Sequence, residues 1–126
     1  MINNSDSKKK ILAVDDEVDF LKILKLNLEA DGYEVITAFD GEEALKKIKS
    51  DNPDVVILDI VLPKLNGEEV CRCIRKDPVS NKIPVIMLTG KDADVERIVS
   101  MVIGADIYIT KPVDFEDLNS AIKKVL

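Results

Sequence analysis

Five polar residues in this sequence follow apolar runs and are of the types that handle phosphate. Asp15 and Asp16 come directly after one apolar run, and Asp59 comes after another. Thr89 and Lys111 follow two further runs in the same way. Clustered carboxylates either bind a hard cation or raise the pKa of one of their members. A hydroxyl and an ammonium can both donate hydrogen bonds to phosphate oxygens. These residue types together indicate phosphate chemistry.

The apolar runs alternate with amphipathic stretches along the whole chain. Short continuous apolar runs predict buried strands at about residues 10–14, 33–38, 54–58, 83–88 and 106–110. Helical periodicity predicts helices at about residues 17–30, 41–50, 66–76, 92–103 and 114–125. Because parallel strands need crossover connections, we predict an α/β, doubly wound, five-stranded parallel sheet with five helices on two faces. Periodicity does not give the strand order, and 2-1-3-4-5 is one of two common orders.

This topology would gather the polar residues, because the carboxyl ends of parallel strands meet at the edge where ligands bind. Two carboxylates about 4 Å apart repel by about 4 kcal/mol at an effective dielectric near 20, so a cluster of them favours a bound cation. Oxygen ligands suit Mg²⁺. Each residue alone also has an ordinary explanation, such as an N-cap for Asp15 or Asp16 and a solvated side chain for Lys111. Those explanations do not predict four such strand ends together.

Composition and charge narrow the function classes. The chain has 126 residues, a net charge of −6 and no histidine. That size fits one domain, and the acidic balance argues against direct binding to nucleic acid. No apolar stretch reaches the length of a membrane span, and we expect residues 1–8 to be a flexible tail before a domain at 9–126. Cys71 and Cys73 lie two residues apart on a predicted helix, so one should face inward and one outward. They cannot then form a disulfide with each other, which fits a reducing cytosol.

The chain resembles the receiver domain of bacterial two-component response regulators over about residues 9–126. The resemblance rests on Ile-Leu-Ala-Val-Asp-Asp-Glu at 11–17, Asp59 with Pro63 and Gly67, Pro-Val-Ile-Met-Leu-Thr-Gly at 84–90, Gly-Ala-Asp at 104–106 and Lys-Pro at 111–112. It implies a flavodoxin-like fold with strand order 2-1-3-4-5. It also implies a cytoplasmic signalling switch that takes part in its own phosphoryl transfer and dephosphorylation, and is otherwise no enzyme.

The resemblance further implies how the acceptor and the metal are held. Asp59 would accept a phosphoryl group from a sensor histidine kinase or a phosphotransfer protein. Asp16, Asp59 and the backbone carbonyl of Val61 would bind Mg²⁺, and Asp15 would help through water. These residues would form the metal and acceptor part of the site.

A conformational switch is the last implication of the resemblance. Thr89 and Lys111 would contact the phosphoryl group, Thr89 would shift toward it, and the ring of Tyr108 would follow inward. The surface formed by the last two predicted helices and the last predicted strand would then change. An effector or output domain, or a second copy of the chain in a homodimer, would bind that surface.

Three features of the sequence depart from the family pattern. Val61 and Lys91 stand at variable positions beside the site. The Val61 side chain cannot hydrogen-bond a water molecule, so we expect Val61→Asn to change the phosphate lifetime. We expect the Lys91 side chain to be solvated. Ile107 stands where the family often has an acid. The predicted helix at 92–103 carries apolar residues on more than one stripe, at Val95, Ile98, Val99, Met101, Val102 and Ile103. We interpret the excess as a dimer or effector surface, with a wider core contact as the alternative.

Three other functions compete with the switch. A flavin-binding module would place a cofactor phosphate at Asp15-Asp16-Glu17, which would repel it. An aspartyl phosphotransferase or phosphatase would need a second acid where Val61 stands, and the chain has neither a histidine base nor a G-x-x-x-x-G-K motif. The remaining alternative is a pseudo-receiver that binds a partner without phosphorylation, although every expected site residue is present.

Overall fold

Five parallel strands form one sheet in the computed structural model, which describes residues 8–90 and 104–126. The strands are β1 (Lys10–Val14), β2 (Glu34–Ala38), β3 (Val55–Asp59), β4 (Val85–Thr89) and β5 (Ile107–Thr110). They lie in the order β2-β1-β3-β4-β5, and each neighbouring pair is parallel. The predicted doubly wound α/β class and the order implied by the resemblance are confirmed.

Four helices lie within the described part of the chain, three of them between strands and one after β5. They are α1 (Val18–Ala30), α2 (Gly41–Asp51), α3 (Gly67–Lys76) and α4 (Phe115–Val125). Each begins and ends within one residue of a predicted helix, and the helix predicted at 92–103 lies outside the described residues. None of the described helices has the length and apolar character needed to cross a bilayer.

Side-chain caps explain where three of these helices begin. The Asp40 carboxylate accepts the backbone N–H of Glu43 at the start of α2. Asn66 accepts the N–H of Glu69 at the start of α3, and Asp114 accepts the N–H groups of Glu116 and Asp117 at the start of α4. A side-chain oxygen at the N-cap position satisfies a backbone donor that the helix itself cannot pair. Each of these three helices therefore begins shortly after the carboxyl end of a strand, on the side of the sheet where ligands bind.

Two apolar clusters cover the two faces of the sheet. Alternate residues of a strand point to opposite faces, and in β1 Leu12 and Val14 belong to one cluster whereas Ile11 and Ala13 belong to the other. The first cluster includes buried side chains of α2 and α3, and the second includes those of α1 and α4. In α3, Cys71 is buried and its neighbour two residues on is exposed, as predicted.

Arg75 joins the end of α3 to the start of the edge strand β5. Its guanidinium donates to the carbonyl oxygens of Gly104 (3.0 Å) and Ile83 (2.7 Å) and to Asp106 Oδ2 (2.9 Å). The same Asp106 oxygen accepts the N–H of Val85 at 2.8 Å. The start of β5 is therefore held against β4, and the far end of β5 leads to the candidate site.

The loop after β3 lies between two glycines that begin neighbouring helices. A Cβ on Gly67 would overlap the backbone carbonyl of Asp59, and a Cβ on Gly41 would overlap that of Leu65. The N–H of Gly67 also donates to the Ile60 carbonyl at 2.8 Å. Both glycines are required for this close approach of backbones, which holds the loop that follows Asp59.

Candidate functional site

The carboxyl ends of β1, β3, β4 and β5 bring four predicted site residues to one edge of the sheet. Asp15 follows β1, Asp59 ends β3, Thr89 ends β4, and Lys111 follows β5. The sheet ladder continues to this edge, because the N–H of Lys111 donates to the Thr89 carbonyl at 2.7 Å. The predicted convergence of these strand ends is present in the structure.

The Lys111 ammonium is the centre of this cluster. Its Nζ lies 2.8 Å from Asp15 Oδ2, 3.0 Å from Asp59 Oδ2 and 3.1 Å from Glu17 Oε1. The Phe20 ring, in the first turn of α1, lies on another side, with its centroid 4.8 Å from Nζ. One cation thus joins three carboxylates that would otherwise repel one another. The peptide bond that follows Lys111 is cis, although sequence alone favours trans.

The three carboxylates differ strongly in exposure. The side chain of Asp15 is fully buried and that of Asp59 is 11% exposed, whereas that of Glu17 is 66% exposed. Asp15 Oδ1 accepts the backbone N–H of Glu17 at 2.9 Å, and Asp59 Oδ1 accepts that of Val61 at 3.2 Å. Each of the two buried acids therefore has one oxygen on the backbone and the other on Lys111.

The pKa values of Asp59 and Lys111 are both raised. A raised pKa favours the neutral form of the acid and the charged form of the lysine. Burial raises the pKa of Asp59, and the nearby charge of Asp15 raises it further, against the opposing effect of Lys111. Burial lowers the pKa of Lys111, but its hydrogen bonds to Asp15, Asp59 and Glu17 outweigh burial and raise the pKa above its ordinary value. Lys111 stays charged, beside a carboxylate that is costly to ionise.

The raised pKa of Asp59 predicts a pH dependence of stability that an Asp59→Asn variant lacks. Folded Asp59 binds its proton more tightly than unfolded Asp59, so the metal-free chain loses stability as pH rises from the unfolded toward the folded pKa. We expect the free energy of unfolding of the variant, minus that of the original chain, to grow across this window and then level off. Urea unfolding in EDTA at several pH values measures it, and a constant difference would contradict the raised pKa.

Thr89 and Tyr108 lie at and behind the site. Thr89 is fully buried, and its Oγ1 has no hydrogen-bond partner among the described residues. Buried polar groups are rarely left unpaired in folded proteins, so this hydroxyl is suited to a bound group. Tyr108 lies in β5 opposite Met87 of β4, and it packs half-buried against the cluster under α2 and α3. The role predicted for each residue stays a prediction.

The acids of this edge form a group that could bind a metal ion. Ligand oxygens of Asp15, Glu17 and Asp59 all lie within 4.8 Å of one another, and such oxygen donors suit a hard cation. Asp16 is exposed and is not in this group, so its predicted role and that of the Val61 carbonyl stay predictions. Glu17 was not among the site residues that the sequence predicted. The available signal was that it is the third acid in the run after β1.

Known proteins match this chain over nearly its whole length. The family model described as the response regulator receiver domain matches residues 11–123. The chain belongs to the response regulator receiver domain family. A receiver domain is a signalling domain of two-component systems and not a classical enzyme, and its general function is phosphorylation-dependent switching. The family resemblance read from the sequence motifs is confirmed.

Relatives of this receiver domain include a longer regulator and separate receiver domains. The alkaline phosphatase synthesis transcriptional regulatory protein PhoP of Bacillus subtilis is 47% identical over 118 residues, which cover 94% of this chain and 48% of that protein. The chain spans about half the length of the curated relatives it matches.

Solved receiver structures share the fold almost completely. A response regulator receiver domain protein from Clostridium thermocellum has a TM-score of 0.86 at 40% identity, with 93% of each chain covered. The chemotaxis protein CheY4 of Vibrio cholerae has a TM-score of 0.88 at 33% identity, covering 94% of this chain and 99% of that one. This receiver domain is therefore similar both to part of a longer regulator and to separate receivers.

Proposed function

We propose that Asp59 of this receiver domain accepts a phosphoryl group from a phosphohistidine of a sensor histidine kinase or a phosphotransfer protein. The observation that carries the proposal is the Lys111 ammonium, which lies 3.0 Å from Asp59 and 2.8 Å from the buried Asp15. A carboxylate beside a fixed cation at the ligand edge of a doubly wound sheet is suited to attack an anionic phosphorus centre.

The transfer step exchanges one bond to phosphorus for another. A carboxylate oxygen of Asp59 attacks the phosphorus, an O–P bond forms, and the P–N bond to the donor imidazole breaks with its electron pair leaving on nitrogen. Negative charge is spread over the three other phosphoryl oxygens during transfer. Lys111 provides a positive charge for these oxygens. The Thr89 hydroxyl, which has no partner among the described residues, provides a hydrogen-bond donor.

The proposed cofactor is Mg²⁺. Asp15, Asp16, Asp59 and the backbone carbonyl of Val61 would hold it, and the close approach of the Asp15 and Asp59 carboxylate oxygens supports a cation here. When bound, Mg²⁺ supplies positive charge that offsets repulsion between the acceptor carboxylate and the phosphoryl group.

Phosphorylation would switch the surface that includes β5 and α4. The new charge on Asp59 would attract the Thr89 hydroxyl, and the ring of Tyr108 would then move inward, biasing a two-state element. An effector, an output domain or a second copy of the chain would bind the changed surface; the name of PhoP suggests a transcriptional output. The apolar residues of the predicted helix at 92–103, which the sequence-based prediction assigns to this surface, lie outside the described residues, so the homodimer stays a prediction.

We further propose that the receiver lies in the cytoplasm, that its domain spans residues 9–126, and that this domain binds neither nucleic acid nor membrane directly. The flexible tail predicted at residues 1–8 lies, except for residue 8, outside the described residues. The phosphorylation-independent pseudo-receiver is the alternative function. No feature of the described residues favours it over the switch.

Intact mass spectrometry tests the proposal directly. The chain is incubated with a small phosphodonor such as acetyl phosphate, in Mg²⁺ or in EDTA. We expect the mass to increase by one phosphoryl group in Mg²⁺ and to remain unchanged in EDTA. An unchanged mass in Mg²⁺ would favour the pseudo-receiver.

Val61→Asn should shorten the lifetime of the phosphate. The Val61 side chain is 67% exposed, while its backbone N–H contacts Asp59. An amide at this position can hydrogen-bond an attacking water, which valine cannot do, so we expect hydrolysis to be severalfold faster. The decay of the phosphorylated mass measures the lifetime. The control is Val79→Asn, at a valine that is 83% exposed outside the site. Equal lifetimes in all three proteins would remove this role from Val61.

A further inference from the structure

We propose that Glu17 occupies Lys111 in the unphosphorylated receiver and is displaced from it by the incoming phosphoryl group. Glu17 then acts as a positioning residue that sets how readily the receiver is loaded. The inference rests on the proposed function, and it concerns a residue that neither the motif reading nor the family match assigned to the site.

All three N–H groups of the Lys111 ammonium are used by carboxylate oxygens. A lysine ammonium carries three N–H groups and no acceptor, and Nζ has three carboxylate oxygens at 2.8, 3.0 and 3.1 Å, from Asp15, Asp59 and Glu17. The Phe20 ring lies over a further side of Nζ. A phosphoryl oxygen can therefore take an N–H of Lys111 only when one of the three carboxylates leaves.

Glu17 is the carboxylate that leaves most easily. Asp15 is fully buried and its other oxygen is bound to the backbone, and Asp59 is the acceptor itself. The Glu17 side chain is 66% exposed and makes the longest of the three contacts. An exposed ion pair is weak because water solvates the separated charges well, whereas separating a buried pair is costly.

The start of α1 gives independent support. Glu17 is the N-cap residue of α1, yet its carboxylate makes no cap hydrogen bond. The N-cap residues Asp40, Asn66 and Asp114 all cap their own helices with their side chains. Glu17 is too long to be a favoured N-cap, and its carboxylate reaches Lys111 instead.

Competition of this kind changes the apparent affinity for the donor. A ligand that binds one of two states appears weaker by the fraction of molecules in the binding-competent state. Here the competent state is the one in which Glu17 has released Lys111. Removing the contact should increase loading at low donor concentration and leave the rate at saturating donor unchanged.

Two variants separate the contact from the charge of Glu17. Glu17→Gln keeps the length of the side chain and removes its charge. Glu17→Asp keeps the charge, but the shorter side chain can cap α1 as Asp40 and Asp114 do. We expect both variants to lower the acetyl phosphate concentration that gives the half-maximal rate of phosphoryl uptake. The expected decrease is about two- to fivefold, as loss of a weak exposed ion pair predicts. The control Glu29→Gln removes the same charge from the last turn of α1 and should match the original chain.

The binding of Mg²⁺ to the unphosphorylated proteins, measured by calorimetry, gives a second readout. We expect the affinity of Glu17→Asp for Mg²⁺ to match that of the original chain. A severalfold loss in both variants would make Glu17 a metal ligand and overturn the inference. Equal donor dependence of the original chain and Glu17→Asp would do the same, because charge alone would then explain any effect of Glu17→Gln. An original chain that takes up no phosphoryl group would instead overturn the proposed function, and this inference with it.

Discussion

Asp59→Asn should abolish the incorporation of the phosphoryl group. The amide oxygen is a poor nucleophile, and the neighbouring Asp15 cannot replace it, because Asp15 is fully buried with its two oxygens bound to Lys111 and to the backbone of Glu17. Intact mass after incubation with acetyl phosphate and Mg²⁺ should show only the unmodified chain. The same variant should fold, since it removes a carboxylate that burial makes costly to ionise.

The matched control for this experiment is Asp54→Asn. Asp54 directly precedes β3, at the opposite end of the strand that Asp59 ends, and its Oδ2 accepts the N–H of Lys10 at 2.8 Å. This variant makes the same chemical change far from the ligand edge and should take up one phosphoryl group. A phosphoryl group found on Asp59→Asn would show that another residue is the acceptor.

Lys111→Met should have the largest effect on stability in the absence of metal. It keeps an unbranched apolar stem beside Phe20 but leaves Asp15 and Asp59 without their cation. Removing one partner of a buried pair costs about 3 to 5 kcal/mol, and partial exposure of Lys111 puts the expected loss near the lower end, about 3 kcal/mol. Loss of the cation that we propose to bind the phosphoryl group should also slow loading by about a hundredfold, as removal of one transition-state donor does.

Urea unfolding in EDTA and in Mg²⁺ measures the effect of Lys111→Met on stability. Because the variant site is more negative, Mg²⁺ should bind it more tightly and restore more of its stability than it adds to the original chain. The control is Lys64→Met, at an exposed lysine 3.8 Å from Asp40 and Glu42, which should cost less than about 1 kcal/mol. Equal losses for the two variants in EDTA would mean that Lys111 does not compensate the buried acids.

The central strands of the sheet were predictable because β1, β3 and β4 are short apolar runs buried on both faces. Asp59 and Thr89 end their strands because the chain reaches the ligand edge there. The same reasoning brought Asp15 and Lys111 to that edge. Strand order came from the resemblance, since burial on both faces makes the central strands alike in sequence.

The contacts of Glu17 and Arg75 could not be predicted, for a different physical reason. Periodicity reports which face a residue occupies but not which oxygen a long flexible side chain reaches. Glu17 depends on a third free N–H of Lys111, and Arg75 depends on acceptors supplied by two loops that are distant in sequence. The cis bond after Lys111 likewise depends on tertiary surroundings, which its two residues do not encode.

Gly41 and Gly67 have a consequence for how receivers can be engineered. They allow close contact with the backbone of the loop after Asp59, whereas the Val61 side chain in that loop faces solvent. Backbone remodelling there would displace Asp59, the proposed acceptor, but exchange of the side chain at 61 would not. With the role proposed for residue 61, we expect that signal duration can be varied independently of the fold, and that a set of chains that differ only at this position gives responses of graded length from one scaffold.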